Sequence, residues 1–152
     1  MKLSALSLVP VREGQTHRQA INTMLREARL AEELGFERYW IAEHHNIKAY
    51  ASSATQILVS EILHHTDRIK VGAGGVMLPN HAPLLVAEQY GTLATLYPNR
   101  VEIGLGRARG ADPFTARALR RQATNHEQDV DDLQSYFGAE RAGGVNALPG
   151  VG

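Results

Sequence analysis

Along the chain, short alternating or wholly apolar runs trade places with longer stretches whose apolar residues recur every three or four positions. "KLSALSLV" (2–9) alternates and predicts a strand. Thr16 then opens a helix, with Gln19 three residues on to complete a capping box. Ile21, Met24, Leu25, Ala28, Ala31 and Leu34 follow at helical spacing, and Gly35 stands where a helix should stop. "RYWIA" (38–42) predicts the second strand. Ser53 and Gln56 suggest another capping box ahead of Ile57, Leu58, Ile62 and Leu63. "IKVGAGGVM" (69–77) predicts the third strand, and Pro83 suits the first turn of a helix running to about Leu96. "VEIGLG" (101–106) predicts the fourth strand. A shorter helical piece near Phe114–Arg121 follows, and Asn125 caps a helix with Val130, Leu133 and Phe137 on one face.

Strand then helix, four times, is the organisation. Strand starts near 3, 38, 69 and 101 are 35, 31 and 32 residues apart. That period fits a β/α unit, and the alternation argues for an α/β fold with a parallel sheet. Residues 1–138 form the expected (β/α)4 unit. The Gly-rich tail 139–152 is expected to link onward, with room for a short strand in "GVNAL" but nothing to pack over it.

Composition narrows the function classes. The chain has 152 residues, 43% apolar and 21% charged, enough for one domain with a real core. Lys plus Arg and Asp plus Glu balance at 16 each, so no basic excess points to nucleic acid or an acidic membrane. With no cysteine, a disulfide, a thiolate nucleophile and a cysteine metal site are excluded. The first residues, "MKLSALSLVPVREG", have too short an apolar run for a signal peptide, and no stretch approaches the ~20 apolar residues of a membrane span. A cytoplasmic protein is the expectation.

Parallel α/β folds bind ligands at the carboxyl ends of their strands, and four unusual stretches fall there: Arg12 after strand one, Glu43-His44-His45 after strand two, Gly74, Gly75, Asn80 and His81 after strand three, and Arg107 and Arg109 after strand four. Glu43 and His44 suit proton handling and equally suit a loop hydrogen bond. No metal is expected: Glu-His-His lacks helical two-ligand spacing, and His64-His65 sits at a helix end. Three glycines in four positions of an apolar strand suggest close approach of backbone to something flat, or a plain turn. Arg107, beside Gly106 and Gly110, suits a phosphate or a surface ion pair. "GLGRARG" is not a dinucleotide fingerprint. The residues alone also admit a metal-dependent hydrolase on such a sheet.

"RYWIAEHHN", "GAGGVMLPNHAPLLVAEQYGTL", "NRVEIGLGRARGADP" and "TARALRR" together resemble the luciferase-like monooxygenases, in particular the bacterial branch of luciferase-family oxidoreductases, from residue 3 to 152. The resemblance implies a TIM barrel that binds reduced flavin at the carboxyl ends of its strands and uses oxygen to oxygenate a substrate. It implies that His44 is catalytic; strand alternation through Trp40, Ala42 and His44 puts His44 on the Trp40 face, while His45 points elsewhere and is expected to bond locally. It implies that Arg107, helped by amides around Gly106, grips the flavin phosphate. Gly74-Gly75 falls where relatives place a non-proline cis peptide against the flavin ring. FMN is the expected cofactor, reduced by a separate flavin reductase, with coenzyme F420 the rival. Ser7, Thr55 and Arg109 depart from the residues usual in relatives.

A TIM barrel needs about 250 residues and eight strands. The four units are therefore expected to be the amino-terminal half of a barrel. A second copy or a separate C-terminal half chain would complete it, with the first and fourth strands near that interface. The alternative is a flavin-binding or interaction half-barrel without turnover.

Overall fold

Four strands lie parallel in the order β1-β2-β3-β4, each beside its neighbour in sequence. They are β1 Ser4–Ser7, β2 Arg38–Ile41, β3 Lys70–Met77 and β4 Val101–Gly106. Helices follow each: α1 His17–Glu33, α2 Thr55–His65, α3 Pro83–Leu96, then α4 Pro113–Ala118 and α5 His126–Tyr136. The computed structural model describes residues 1–107, 112–119, 125–140 and 142–150. Two units emerge, Met1–Val76 with Glu102–Leu105, and Met77–Val101 with Gly106–Gly152. The expected (β/α)4 alternation is present, and it is half of the TIM-barrel pattern.

Register decides which side chains share a face of the first unit. Ala5, Tyr39 and Val71 align, as do Ser7, Ile41 and Ala73; Ser4, Arg38 and Lys70 align, as do Leu6, Trp40 and Gly72. Tyr39, Ile41, Val71 and Ala73 are buried, with Met24 and Ala28 of α1 and Val59 and Ile62 of α2. Each fully buried aliphatic side chain in this core contributes about 1.5–3 kcal/mol. On the opposite face Leu6 is 58% exposed and Trp40 half-buried, while Gly72 is buried.

Helix α1 starts as its sequence predicts. The Thr16 hydroxyl accepts from the Gln19 N–H at 3.2 Å, and the Gln19 side chain accepts from the Thr16 N–H at 2.8 Å. Gly35 follows the end of the helix at φ +77°, a conformation costly for other residues. Leu34, expected in the apolar stripe, is 67% exposed; Ala20, Met24, Ala28 and Ala31 form the buried stripe. Helix α2 departs from expectation at its start. Its N-cap is Ala54, with no side-chain cap, so Ser53 and Gln56 make no capping box. The preceding residues are held elsewhere: Ala51 N–H donates to Val9 O and Ser52 O accepts from His44 N–H. The helix therefore begins one residue late for Ser53.

A tie the sequence did not announce joins α1 to β3. The Glu32 carboxylate accepts from the backbone N–H groups of Asp67, Arg68 and Ile69 at 2.6–3.3 Å. Burial alone would raise its pKa, but these three donors and the Arg68 charge hold it below the ordinary value.

In the second unit, Pro83 occupies the first turn of α3, as predicted. Val86, Ala87, Tyr90 and Leu93 are buried there, and Leu133 of α5 packs with them, whereas Val130 and Phe137 are only half-buried. The tail forms no strand among its described residues, but it does pack. Ala147 is fully buried, and a Cβ on Gly91 would lie 2.2 Å from Pro149 O. Gly91 is what lets the tail cross α3. Helix α4 is capped by Asp112, which accepts from Phe114 and Thr115 N–H. The expected end of that helix at Arg121, and Arg109 and Gly110, lie outside the described residues. No described helix is long and apolar enough to cross a membrane.

Candidate functional site

Beyond β2 the chain keeps its alternation for three more residues. Tyr39, Ile41 and Glu43 are buried, while Trp40, Ala42 and His44 are half-buried. Ala42 N–H still bonds Ser7 O at 3.0 Å, which carries the β1–β2 ladder past the formal strand. The strand thus puts Glu43 inward and His44 on the Trp40 side. Glu43 is only 2% exposed, and its Oε1 lies 2.6 Å from His45 Nε2. His45 therefore bonds locally, as expected.

His44 sits differently. Its backbone N–H donates to Ser52 O at 3.2 Å. Its ring Nδ1 is buried and has no hydrogen-bond partner. A buried polar atom without a partner costs free energy unless something else meets it. The His44 ring packs on Tyr50, centroids 5.0 Å apart and planes inclined at 50°. The segment bearing Tyr50 is tied to the end of β1: Val11 N–H donates to Ala49 O at 2.8 Å, Ala51 N–H to Val9 O at 2.9 Å, and Pro10 bridges Tyr50. Val9 has φ +51° and is fully buried. A β-branched residue in that region is an outlier, of a kind found clustered at functional sites.

The flat object beside the β3 glycines is Trp40. A Cβ on Gly72 would lie 2.8 Å from Trp40 Cζ3 and 2.1 Å from Glu102 O; one on Gly74 would lie 3.2 Å from Trp40 Cβ. Gly75 meets β4 instead, where a Cβ would be 2.8 Å from Gly104 O. Packing inside the sheet thus accounts for the need for glycine at 72 and 75 and for the tight fit at 74. The Gly74-Gly75 peptide is cis, at the position where the family resemblance places such a bond.

At the opposite ends of the strands lies a cluster that sequence reading missed. Glu102 accepts from Arg38 Nε at 2.6 Å and from Lys70 Nζ at 3.1 Å. Burial would raise the Glu102 pKa, but the Arg38 and Lys70 hydrogen bonds and charges hold it below the ordinary carboxylate value, and the Glu102 hydrogen bond raises that of Arg38. The available signal was register: Arg38 and Lys70 open their strands and Glu102 stands second in its own. On the other face of β2, burial pushes the Tyr39 hydroxyl up to about 12, with Glu27 as its neighbour at 3.3 Å.

Of the residues picked from sequence, His44, Gly74 and Gly75 fall in the first unit; His44 follows β2, whereas Gly74 and Gly75, expected after strand three, lie within β3 in its carboxyl half. Arg12 is exposed in the turn after β1, where its N–H donates to Gln15 Oε1 at 3.1 Å. Gly106 ends β4 and Arg107, exposed, follows it; both belong to the second unit, as do Asn80 and His81. Asn80 Nδ2 donates weakly to Met77 Sδ at 3.7 Å.

A parallel (β/α)4 sheet with polar groups at its carboxyl edge fits many enzymes, and comparison with known proteins narrows the field. A luciferase-like monooxygenase of Escherichia coli (strain K12) is 47% identical over 154 residues, 98% of this chain and 46% of that protein. The solved structure of apo-MsnO8 superposes with a TM-score of 0.92 at 37% identity, over 97% of this chain and 45% of that one. More distant structures share the fold alone. They include the oxygenating constituent of 3,6-diketocamphane monooxygenase from Pseudomonas putida in complex with FMN (TM-score 0.73, 22% identity, 89% of this chain and 38% of that one). An F420-dependent secondary alcohol dehydrogenase (TM-score 0.69, 16% identity, 90% and 42%) is another. The chain spans about half the length of the curated relatives it matches. The family model for luciferase-like monooxygenases matches residues 1–137, which hold β1–β4 and α1–α5, and the chain belongs to that family.

Proposed function

We propose that this chain supplies the amino-terminal (β/α)4 half of a flavin-dependent monooxygenase, which uses reduced FMN and molecular oxygen to oxygenate an organic substrate. The observation that carries the reading is the buried, unpartnered His44 Nδ1 at the carboxyl end of β2, in a chain of this family. The residues present fit a flavin. His44 offers an unmet polar atom, and Gly74, in the carboxyl half of β3, leaves its backbone exposed. Reduced flavin, when bound, supplies the electrons that activate oxygen. His44 would hold or move a proton there; a positioned acid or base contributes about 10²–10⁴-fold. Arg107 and the amide near Gly106 would hold the phosphate. F420 is the rival cofactor, and a flavin-binding half-barrel without turnover is the alternative to an enzyme.

The edge strands and the exposed Leu6 support a further part of the reading. β1 and β4 are the sheet's edges, and Leu6 is left exposed. Edge strands of this kind invite pairing. We assign their cover to further β/α units, from a second copy or a separate C-terminal half. Oxygen consumption with FMN, NADH and a flavin reductase tests the whole. Flavin-dependent uptake beyond that of the reductase alone is expected. FMN binding without such uptake would leave the non-catalytic alternative, and binding of F420 alone would move the cofactor assignment.

A further inference from the structure

We infer that Tyr50 is the positioning residue that sets the orientation of the His44 ring. This rests on the proposed role of His44 and adds a residue to it. Rotation of an imidazole about its side-chain bonds is ordinarily stopped by a hydrogen bond at one ring nitrogen. His44 has none at Nδ1. The backbone bond to Ser52 O fixes its main chain but leaves the ring free to turn. The aromatic contact is with Tyr50, at 5.0 Å and 50°. Tilted ring pairs at this separation are favourable, and they constrain orientation as well as distance.

Tyr50 is itself held with unusual care for a half-buried loop residue. Its N–H donates to Ile47 O at 3.1 Å, and its backbone bridges Pro10. The residues on either side are bonded to Val11 and Val9. The second of these bonds uses the carbonyl of Val9, whose left-handed backbone is uncommon for a β-branched residue. The end of β1 thus fixes segment 49–51, that segment fixes Tyr50, and Tyr50 stops the His44 ring. Precise placement of a proton-handling group is worth this, because a displacement of about 1 Å can cost on the order of 100-fold in rate.

The test compares Tyr50→Phe and Tyr50→Leu in the full chain by NMR of the histidine ring signals, alongside flavin-dependent turnover. Phe keeps the ring, so the His44 ring protons should stay shielded as in the parent chain. In Leu they should lose that shielding. Turnover should fall about ten- to hundredfold in Leu and stay near the parent in Phe, with FMN affinity unchanged in both. In a His44→Ala background, Tyr50→Leu should cost nothing more, since its effect passes through His44. A general structural role would instead lower turnover in that background too. Unchanged His44 signals in Tyr50→Leu, or full additivity with His44→Ala, would overturn the inference. If the parent chain shows no flavin-dependent turnover even with the further β/α units that complete its sheet, the proposed function fails, while the ring signals still decide whether Tyr50 orients His44.

Discussion

The two ends of the first unit's sheet are built on opposite principles. At the amino ends of the strands, Arg38 and Lys70 meet Glu102, and Glu32 collects three backbone donors. Charges there are matched, with Glu37 Oε1 also against Lys2 and Arg38, although Glu37 Oε2 is buried without a hydrogen-bond partner. At the carboxyl ends, His44 Nδ1 is buried without a partner, Val9 sits in left-handed backbone, and a carboxylate is buried against His45. Satisfied polar groups hold a fold together; unsatisfied and strained ones are tolerated where another molecule makes up the difference. In parallel α/β proteins the same division separates the stabilising end of the sheet from the chemical one.

The contrast is broken most sharply at His44. His44→Ala should lower flavin-dependent turnover by about 10²–10⁴-fold with FMN binding nearly intact, as read by steady-state oxygen uptake and flavin absorbance. His45→Ala should cost less, because its Nε2 is already committed to Glu43. Arg107→Ala should weaken FMN by about ten- to hundredfold, the worth of one charge-assisted hydrogen bond, and leave riboflavin unaffected. Equal weakening of both ligands would remove the phosphate role.

The structural end should answer in stability instead. Glu102→Ala strips the shared partner from two cations that are each 30–40% exposed, so water offsets part of the loss. About 1–2 kcal/mol is expected, measured by denaturant unfolding. The pH dependence has a definite sign. Glu102 and Glu32 have folded-state pKa values below the ordinary 4.5, so their stabilisation is complete above that value and is lost as pH falls through the folded ones. Glu102→Gln should therefore flatten the fall in stability below pH 4.5 and leave the neutral plateau's slope unchanged. The smallest effect should come from Thr16→Ala, which removes the α1 cap for about 1 kcal/mol.

Much of this fold could be read from local pattern, because local chemistry decides it. The Thr16–Gln19 box, Gly35 and Pro83 act through their own backbone neighbours, and all three stand where sequence placed them. His44 was legible for a similar reason: alternation from Trp40 predicts its side of the strand, and burial follows that alternation. What escaped depends on contacts between distant segments. Ser53 fails to cap α2 because residues 51 and 52 are bonded to Val9 and His44. The glycines of β3 announced a flat neighbour, but only register shows that Trp40 is one. The Glu102 cluster and the packing of Pro149 against Gly91 join residues 32 or more positions apart, beyond the reach of any periodicity.

If the carboxyl end of the sheet serves flavin chemistry and the amino end serves stability, the two ends answer to different substitutions. Measuring flavin-dependent oxygen uptake and unfolding free energy side by side, in the parent chain, His44→Ala and Glu102→Ala, tests it directly. His44→Ala should lose turnover and keep its stability, while Glu102→Ala should lose stability and keep its turnover per folded molecule. Parent-like uptake in His44→Ala, or loss of uptake in folded Glu102→Ala, would contradict that division.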